Sequence, residues 1–183
     1  MNYGVIKKND VANGPGVRVT LFVSGCTHHC EGCFNPETWD FTYGKLFTTE
    51  TIDAIIKYMA PDHIKGLTLL GGEPFEHPNQ LALLPLVKRV KEIYPRKDIW
   101  AFSGYTFDTD ILQDMAAKWP ETTELLSYID VLVDGEFILA QKDLNLRFRG
   151  SSNQRIIKVQ ESIKTGNIVL WDEDKPFNYE WKE

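Results

Sequence analysis

The sequence predicts a single α/β domain folded as an open, partial β/α barrel around a parallel sheet. Three observations lead there. Strand-like and helix-like stretches alternate along most of the chain, a pattern that yields parallel strands joined by right-handed crossovers. Glycine-rich or acidic loops follow the predicted strands, where active sites of parallel α/β folds gather. The 183 residues hold one core but too few strand–helix units for a closed eight-stranded barrel.

Met1–Asp10 is short and polar and predicts no element. Asn13-Gly14-Pro15-Gly16 is a tight turn, because its glycines accept positive φ and its proline fixes φ. It feeds Val17–Ser24, an alternating β-branched strand. Thr49 is placed to cap a helix with Glu50 near its positive end, and Ile52, Ile55, Ile56 and Met59 give that helix one apolar face. Gly66–Leu70 is the second strand. Leu83, Leu86, Val87, Val90, Ile93 and Tyr94 mark a second amphipathic helix, which Pro85 forces to start late or kink. Asp98–Phe102 is the third strand, leading into Ser103-Gly104-Tyr105. Asp108 is expected to cap a helix carrying Ile111, Leu112, Met115 and Trp119. Tyr128–Asp134 reads as a fourth strand, Phe137–Leu146 as irregular or partly helical, and Arg155–Val159 as a last core strand. Asn167–Trp171 has the composition of an edge strand, followed by an acidic tail with Phe177, Tyr179 and Trp181.

All three cysteines, Cys26, Cys30 and Cys33, fall in one loop after the first strand. An odd number confined to one segment does not make a disulfide framework. It suits a metal. A closed zinc site needs four ligands, and the nearest additional donors, His28 and His29, lie inside the same loop with no second pair elsewhere. A 4Fe-4S cluster ordinarily takes four cysteines; with three, one iron keeps an open position for a ligand. His28 and His29 otherwise read as solvent-facing and Trp39 as packing.

The spacing Cys26-x-x-x-Cys30-x-x-Cys33 resembles the signature of the radical S-adenosylmethionine (SAM) enzymes. Asn13–Arg18 with Leu21–Cys26, Gly71-Gly72-Glu73-Pro74, Val133–Phe137 and Arg149–Arg155 follow in the order found in one branch, the activating proteins of anaerobic ribonucleoside-triphosphate reductase. The resemblance spans roughly the first five-sixths of the chain and divides it into a radical SAM domain, 1–160, and a C-terminal extension, 161–183. It implies a 4Fe-4S cluster on Cys26, Cys30 and Cys33, with the open iron chelated by the amino and carboxylate groups of SAM.

The same resemblance implies cofactor contacts at Gly32, Cys33, Phe34, Gly71, Gly72, Glu73, Ser103 and Asp134. Phe34 would plug the cluster side and lie against the adenine, Glu73 would accept from the methionine amine, and Asp134 would lie near the ribose or a cation, or simply make an Asp-Gly turn. Arg18 and the 149–155 loop become candidates for contact with a partner or substrate. The implied reaction is reductive cleavage of SAM, fed by flavodoxin or ferredoxin, that leaves a glycyl radical on the reductase. Activation of another glycyl-radical enzyme of the pyruvate formate-lyase type, or the chemistry of another small radical SAM enzyme, is the alternative, and a zinc-stabilised binding module the non-enzymatic one.

Composition narrows the remainder. A charged fraction of 25% and a hydrophobic fraction of 43% are those of a globular protein. A formal charge of −6 argues against a nucleic-acid surface. No apolar run suggests a membrane span or signal peptide, so the reducing cytoplasm is the expected compartment.

Overall fold

A computed structural model describes residues 1–172. Its centre is a seven-stranded sheet in the order β3-β1-β2-β4-β5-β6-β7. The strands are β1 (Asn2–Asp10), β2 (Val17–Val23), β3 (Lys45–Leu46), β4 (Ile64–Gly71), β5 (Asp98–Phe102), β6 (Val131–Asp134) and β7 (Arg155–Lys158). The four middle strands, β2, β4, β5 and β6, are parallel to one another. The edges are antiparallel: β3 on β1, β1 on β2, and β7 on β6. The sheet is therefore mixed rather than wholly parallel. The parallel centre follows from the helical crossovers, whereas each edge strand is free to reverse direction.

β1 is the element that residue pattern misses. Its side chains are mostly exposed or half-buried, so no alternation marks it; pairing with β2 makes it a strand. At the far edge, Lys158 N donates to Val169 O and Trp171 N donates to Ile156 O. Asn167–Trp171 thus docks beside β7, as its composition suggests, although only an Ile157–Leu170 bridge is formed. Phe177, Tyr179 and Trp181 lie outside the described residues.

The helices cover one face. α1 (Thr49–Met59) buries Ile52, Ile55, Ile56 and Met59 as its stripe requires, and its cap is Thr48, in a reciprocal capping box with Thr51, one residue before the expected position. α2 (His77–Ile93) starts early and continues through Pro85. The carbonyl deprived of its bond belongs to Leu81, an exposed residue, so water is available to it. Ile93 likewise ends on the solvent side. Asp108 caps nothing. The chain enters a π-helical stretch, Phe107–Met115, at Thr106, prolonged by α3 (Ala116–Lys118), and Asp108 pairs with Arg155. Two further helices, α4 (Pro120–Tyr128) and α5 (Val159–Thr165), shorten the strands expected at Tyr128 and Val159. α5 straddles Gln160, so the fold has no break where the motif resemblance ends.

Alternation along the parallel strands sorts the core. Val19, Leu21, Val23, Leu67, Leu69, Ile99 and Ala101 meet the helices in one large cluster. The intervening residues Arg18, Phe22, Thr68, Leu70, Trp100 and Phe102 point to the opposite face, where Trp100 gathers Val131, Val133 and Ile156 into a smaller cluster. Arg18 is there, 0% exposed, and not at any contact surface. Its Nη2 lies 2.6 Å from Asp98 Oδ1, Nε donates to Thr68 Oγ1 at 2.7 Å, and Nη2 also donates to Leu67 O at 2.8 Å. Burial depresses the guanidinium below its ordinary value, and Asp98 only partly offsets it. The candidate contact residue is instead a structural cation under the sheet.

Candidate active site

The ends of β2, β4 and β5 converge on one cavity of about 640 Å³, and Cys26, Cys30 and Cys33 all line it. None forms a disulfide. Burial, reinforced by the charge of Glu73, pushes the Cys26 thiol up to about 12, and burial also raises Cys30. Among the described residues no group of three or more His, Cys, Asp or Glu side chains is drawn tightly enough to hold a single metal ion. The three free thiols line the same cavity, and a cluster takes such a set because each cysteine holds a different iron.

The cysteine loop is held from below by backbone. Gly25 N donates to Thr38 O at 2.8 Å and Cys26 N to Trp39 O at 3.2 Å. From the next strand, Gly72 N donates to Val23 O at 2.7 Å and Glu73 N to Gly25 O at 2.8 Å. A Cβ on Gly72 would lie 2.6 Å from Gly25 O and 2.9 Å from Thr38 O, and Gly71 has φ +115 with Val23 O equally close. The glycine pair thus permits close approach, as expected, but its immediate neighbour is the cysteine loop itself. Asn79, buried at the start of α2, donates to Ser24 O at 3.0 Å and Glu73 O at 2.8 Å and so ties both loops to one helix.

Glu73 is 1% exposed and lies on the cavity wall. Its Oε1 accepts from Phe75 N at 2.8 Å and from Ser103 Oγ at 2.9 Å; its Oε2 accepts from Gly104 N at 2.7 Å. His28 Nε2 stands 3.2 Å from the same Oε2, a charge contact out of line for a hydrogen bond. His28 is thus not a solvent-facing residue. Its ring packs against Tyr105 at 4.3 Å, and it reaches inward because Gly104 has no Cβ, which would meet the ring at 2.6 Å. Burial opposes the imidazolium, but Glu73, with Glu136 and Glu76 nearby, raises it above its ordinary value. His29, at φ +53, lies tilted against Trp39 with ring centroids 4.7 Å apart.

The other expected contacts divide. Ser103 lines the cavity beside Glu73. Phe34 lines it too, but at 65% exposure it is no plug; it leans on Phe137 at 5.7 Å with Lys142 over its ring. Gly32 takes φ +74 on the exposed shoulder of the cysteine loop, with Leu139 where a Cβ would stand, and is not part of the lining. Asp134 is also off the lining. Buried, it accepts from Phe107 N at 2.8 Å and from Arg155 through Nε at 3.0 Å and Nη2 at 2.5 Å. Its carboxylate holds the 106–107 turn and β7. The 149–155 stretch folds around Gln154, whose Oε1 accepts from Gly150 N and Ser151 N, and Arg149, Gly150 and Gln154 reach the cavity.

This geometry agrees with what the chain resembles. A protein-family model described as a 4Fe-4S single cluster domain matches residues 12–157. The anaerobic ribonucleoside-triphosphate reductase-activating proteins of Vibrio cholerae and Enterobacteria phage T4 are 48% and 43% identical over 158 residues, covering 85% of this chain and 97% and 93% of theirs. This chain belongs to that activating-protein family. The Escherichia coli K12 member is 43% identical over 156 residues, 84% of this chain and 96% of its own.

Several residues of this family member's site had no signal in the sequence. Asn79 precedes the Leu83–Tyr94 stripe that marks the second helix, Lys7 falls in the unassigned Met1–Asp10, and Phe148 lies just ahead of the Arg149–Arg155 motif. His28 was visible only as a spare donor. Each reaches the site through tertiary contacts between segments far apart in the chain.

Proposed function

We propose that this activating-family protein binds a 4Fe-4S cluster through Cys26, Cys30 and Cys33, with SAM on the remaining iron, and generates a glycyl radical on anaerobic ribonucleoside-triphosphate reductase. The observation that carries the reading is the convergence of three free cysteines with the Glu73 loop on one cavity large enough for a cluster and a nucleoside. Held by Cys26, Cys30 and Cys33 and reduced by an external one-electron donor, the cluster would supply the electron for reductive cleavage of a carbon–sulfur bond of SAM, the chemistry that forming a glycyl radical on the reductase would need.

The chain's own residues hold and enclose. The backbone bonds from Thr38, Trp39 and Glu73 fix the cysteine loop before any cluster arrives. Glu73 offers negative charge to an ammonium at the cavity wall, with Ser103 and Gly104 fixing its orientation. Phe22, Leu70 and Phe102 give the cavity an apolar floor, which keeps water and exchangeable hydrogens from a reactive carbon. Phe34, exposed at the rim, is free to close on an adenine. Four parallel strands with helices on one face and a cavity at their C-terminal ends support an open, partial radical SAM barrel. Gly32 and Asp134 act at one remove, through loop geometry and the Arg155 pair.

A flavodoxin or ferredoxin is the proposed electron donor and the reducing cytoplasm the proposed setting. No described helix is long and apolar enough to cross a membrane. The test is anaerobic incubation of the reconstituted protein with SAM, a low-potential reductant and the reductase, followed by EPR. A glycyl doublet on the reductase that needs all components supports the reading; a doublet only on a pyruvate formate-lyase-type enzyme, or none, contradicts it.

A further inference from the structure

Part of the cavity wall comes from a loop whose base is closed by a Lys142–Ser151 bridge and by Asp143 N donating to Gly150 O. Leu144, Leu146 and Phe148 on this loop line the cavity. Phe148 has φ +56, a left-handed conformation that costs a bulky side chain energy and persists only where packing enforces it. The packing is an aromatic triangle. Phe148 meets Trp100 edge-on at 5.6 Å and Trp171 at 6.0 Å, and Trp100 meets Trp171 at 5.5 Å. Trp100 is 1% exposed, buried on β5 beneath Arg18.

Trp171 belongs to a different part of the chain. It lies beyond residue 157, where the family match ends, and reaches the triangle because Asn167–Trp171 docks along β7 through Lys158 N to Val169 O and Trp171 N to Ile156 O. A segment outside the matched region therefore supplies one side of the enclosure around a strained, cavity-lining residue.

We propose that Trp171 is a positioning residue: acting through Phe148, it sets the position of the 142–150 wall and thereby how tightly the cavity closes on its ligand. The use of that cavity by SAM rests on the function proposed above; the wall's dependence on Trp171 does not. Without Trp171, Phe148 loses one of its two aromatic supports and can relax out of the left-handed conformation, carrying Leu144 and Leu146 outward.

The test is amide hydrogen exchange of the full chain for wild type, Trp171→Ala and Trp171→Phe, paired with SAM affinity of the reconstituted proteins. Trp171→Ala is expected to speed exchange in 142–150 roughly tenfold, the size of one or two aromatic edge contacts, with β4 and α1 unchanged. Trp171→Phe restores most of the protection. SAM binding weakens in Trp171→Ala in step with the loop. Unchanged exchange in 142–150, or equal acceleration throughout the molecule, overturns the proposal. Loop loosening with SAM affinity unaltered removes the ligand-closing half of the proposal. If wild type itself does not bind SAM, it is the proposed function that fails, and the exchange comparison still decides the wall.

Discussion

Glu73 Oε2 accepts a hydrogen bond from Gly104 N at 2.7 Å, joining the loop after β4 to the loop after β5 at the cavity wall. The carboxylate also takes Ser103 Oγ and Phe75 N, so one buried acid on the cavity wall orders the two loops. Replacing it with Gln keeps the size but points an N–H at groups that donate. Glu73→Gln is expected to cost about 1–3 kcal/mol of stability and to abolish the SAM-dependent change in the cluster spectrum. Urea denaturation reads the first effect and EPR the second. Normal SAM binding in the variant would mean that Glu73 serves the loops alone.

Gly72 sits against Gly25 O and Thr38 O, at distances no Cβ tolerates. Gly72→Ala should push the Glu73 loop away from the cysteine loop. The expected result is a folded protein that retains much less iron and sulfide after reconstitution than wild type. Metal and sulfide analysis after gel filtration checks it, with circular dichroism confirming the fold.

Under the sheet, Arg18 and Asp98 make a pair whose two ends are not equivalent: the guanidinium is 0% exposed and the carboxylate 24%. Asp98→Ala removes the partner in contact and leaves a fully buried guanidinium with only the charges of Asp130 and Asp10 to compensate it, and is expected to cost about 3 kcal/mol. Arg18→Met removes the charge that needs compensation and should cost less. Chemical denaturation of the two variants orders them; a greater loss for Arg18→Met would show that the hydrogen bonds to Thr68 and Leu67 outweigh the charge.

Acid should loosen the structure at two carboxylates. Arg155 holds Asp108 below the usual carboxylate range. Asp10 is also lowered: its burial acts the other way but is outweighed by donors from Asn13 and Ala12, which shape the turn lining the cavity. Both folded values lie below the ordinary 3.8. Their stabilisation is therefore fully present above that value and is lost as pH falls through the folded ones. Because Asp108 is partly solvated, its share is less than about 1 kcal/mol. Denaturation between pH 6 and 3 should show a weaker acid-side loss in Asp108→Asn than in wild type.

What the residues made legible was what depends on local pattern. The first three parallel strands, the stripe of α1 and the cysteine and Gly71–Glu73 loops were readable because periodicity and turn chemistry are written within a few residues. β1 was not, since its side chains are largely exposed and only β2 makes it a strand. Helix boundaries shifted where tertiary contacts competed: Asp108 was recruited by Arg155, and α2 accommodated Pro85 by turning Leu81 outward. Glu73 and Ser103 line the cavity beside the cysteines, whereas Asp134 and Arg18 are engaged by Arg155 and Asp98; an ionisable residue looks the same in sequence whether it meets a ligand or a buried partner. His28 and Asn79 gave no local sign of their roles.

The central claim is that Cys26, Cys30 and Cys33 together hold a cluster with one iron open to SAM. Anaerobic reconstitution with iron and sulfide, reduction, and EPR with and without SAM test it most directly. The account predicts about four irons and four sulfides per chain, a reduced-cluster spectrum that shifts on adding SAM, and loss of both in each of Cys26→Ala, Cys30→Ala and Cys33→Ala. A protein that takes up one zinc without sulfide, or a cluster whose spectrum is indifferent to SAM, would contradict it.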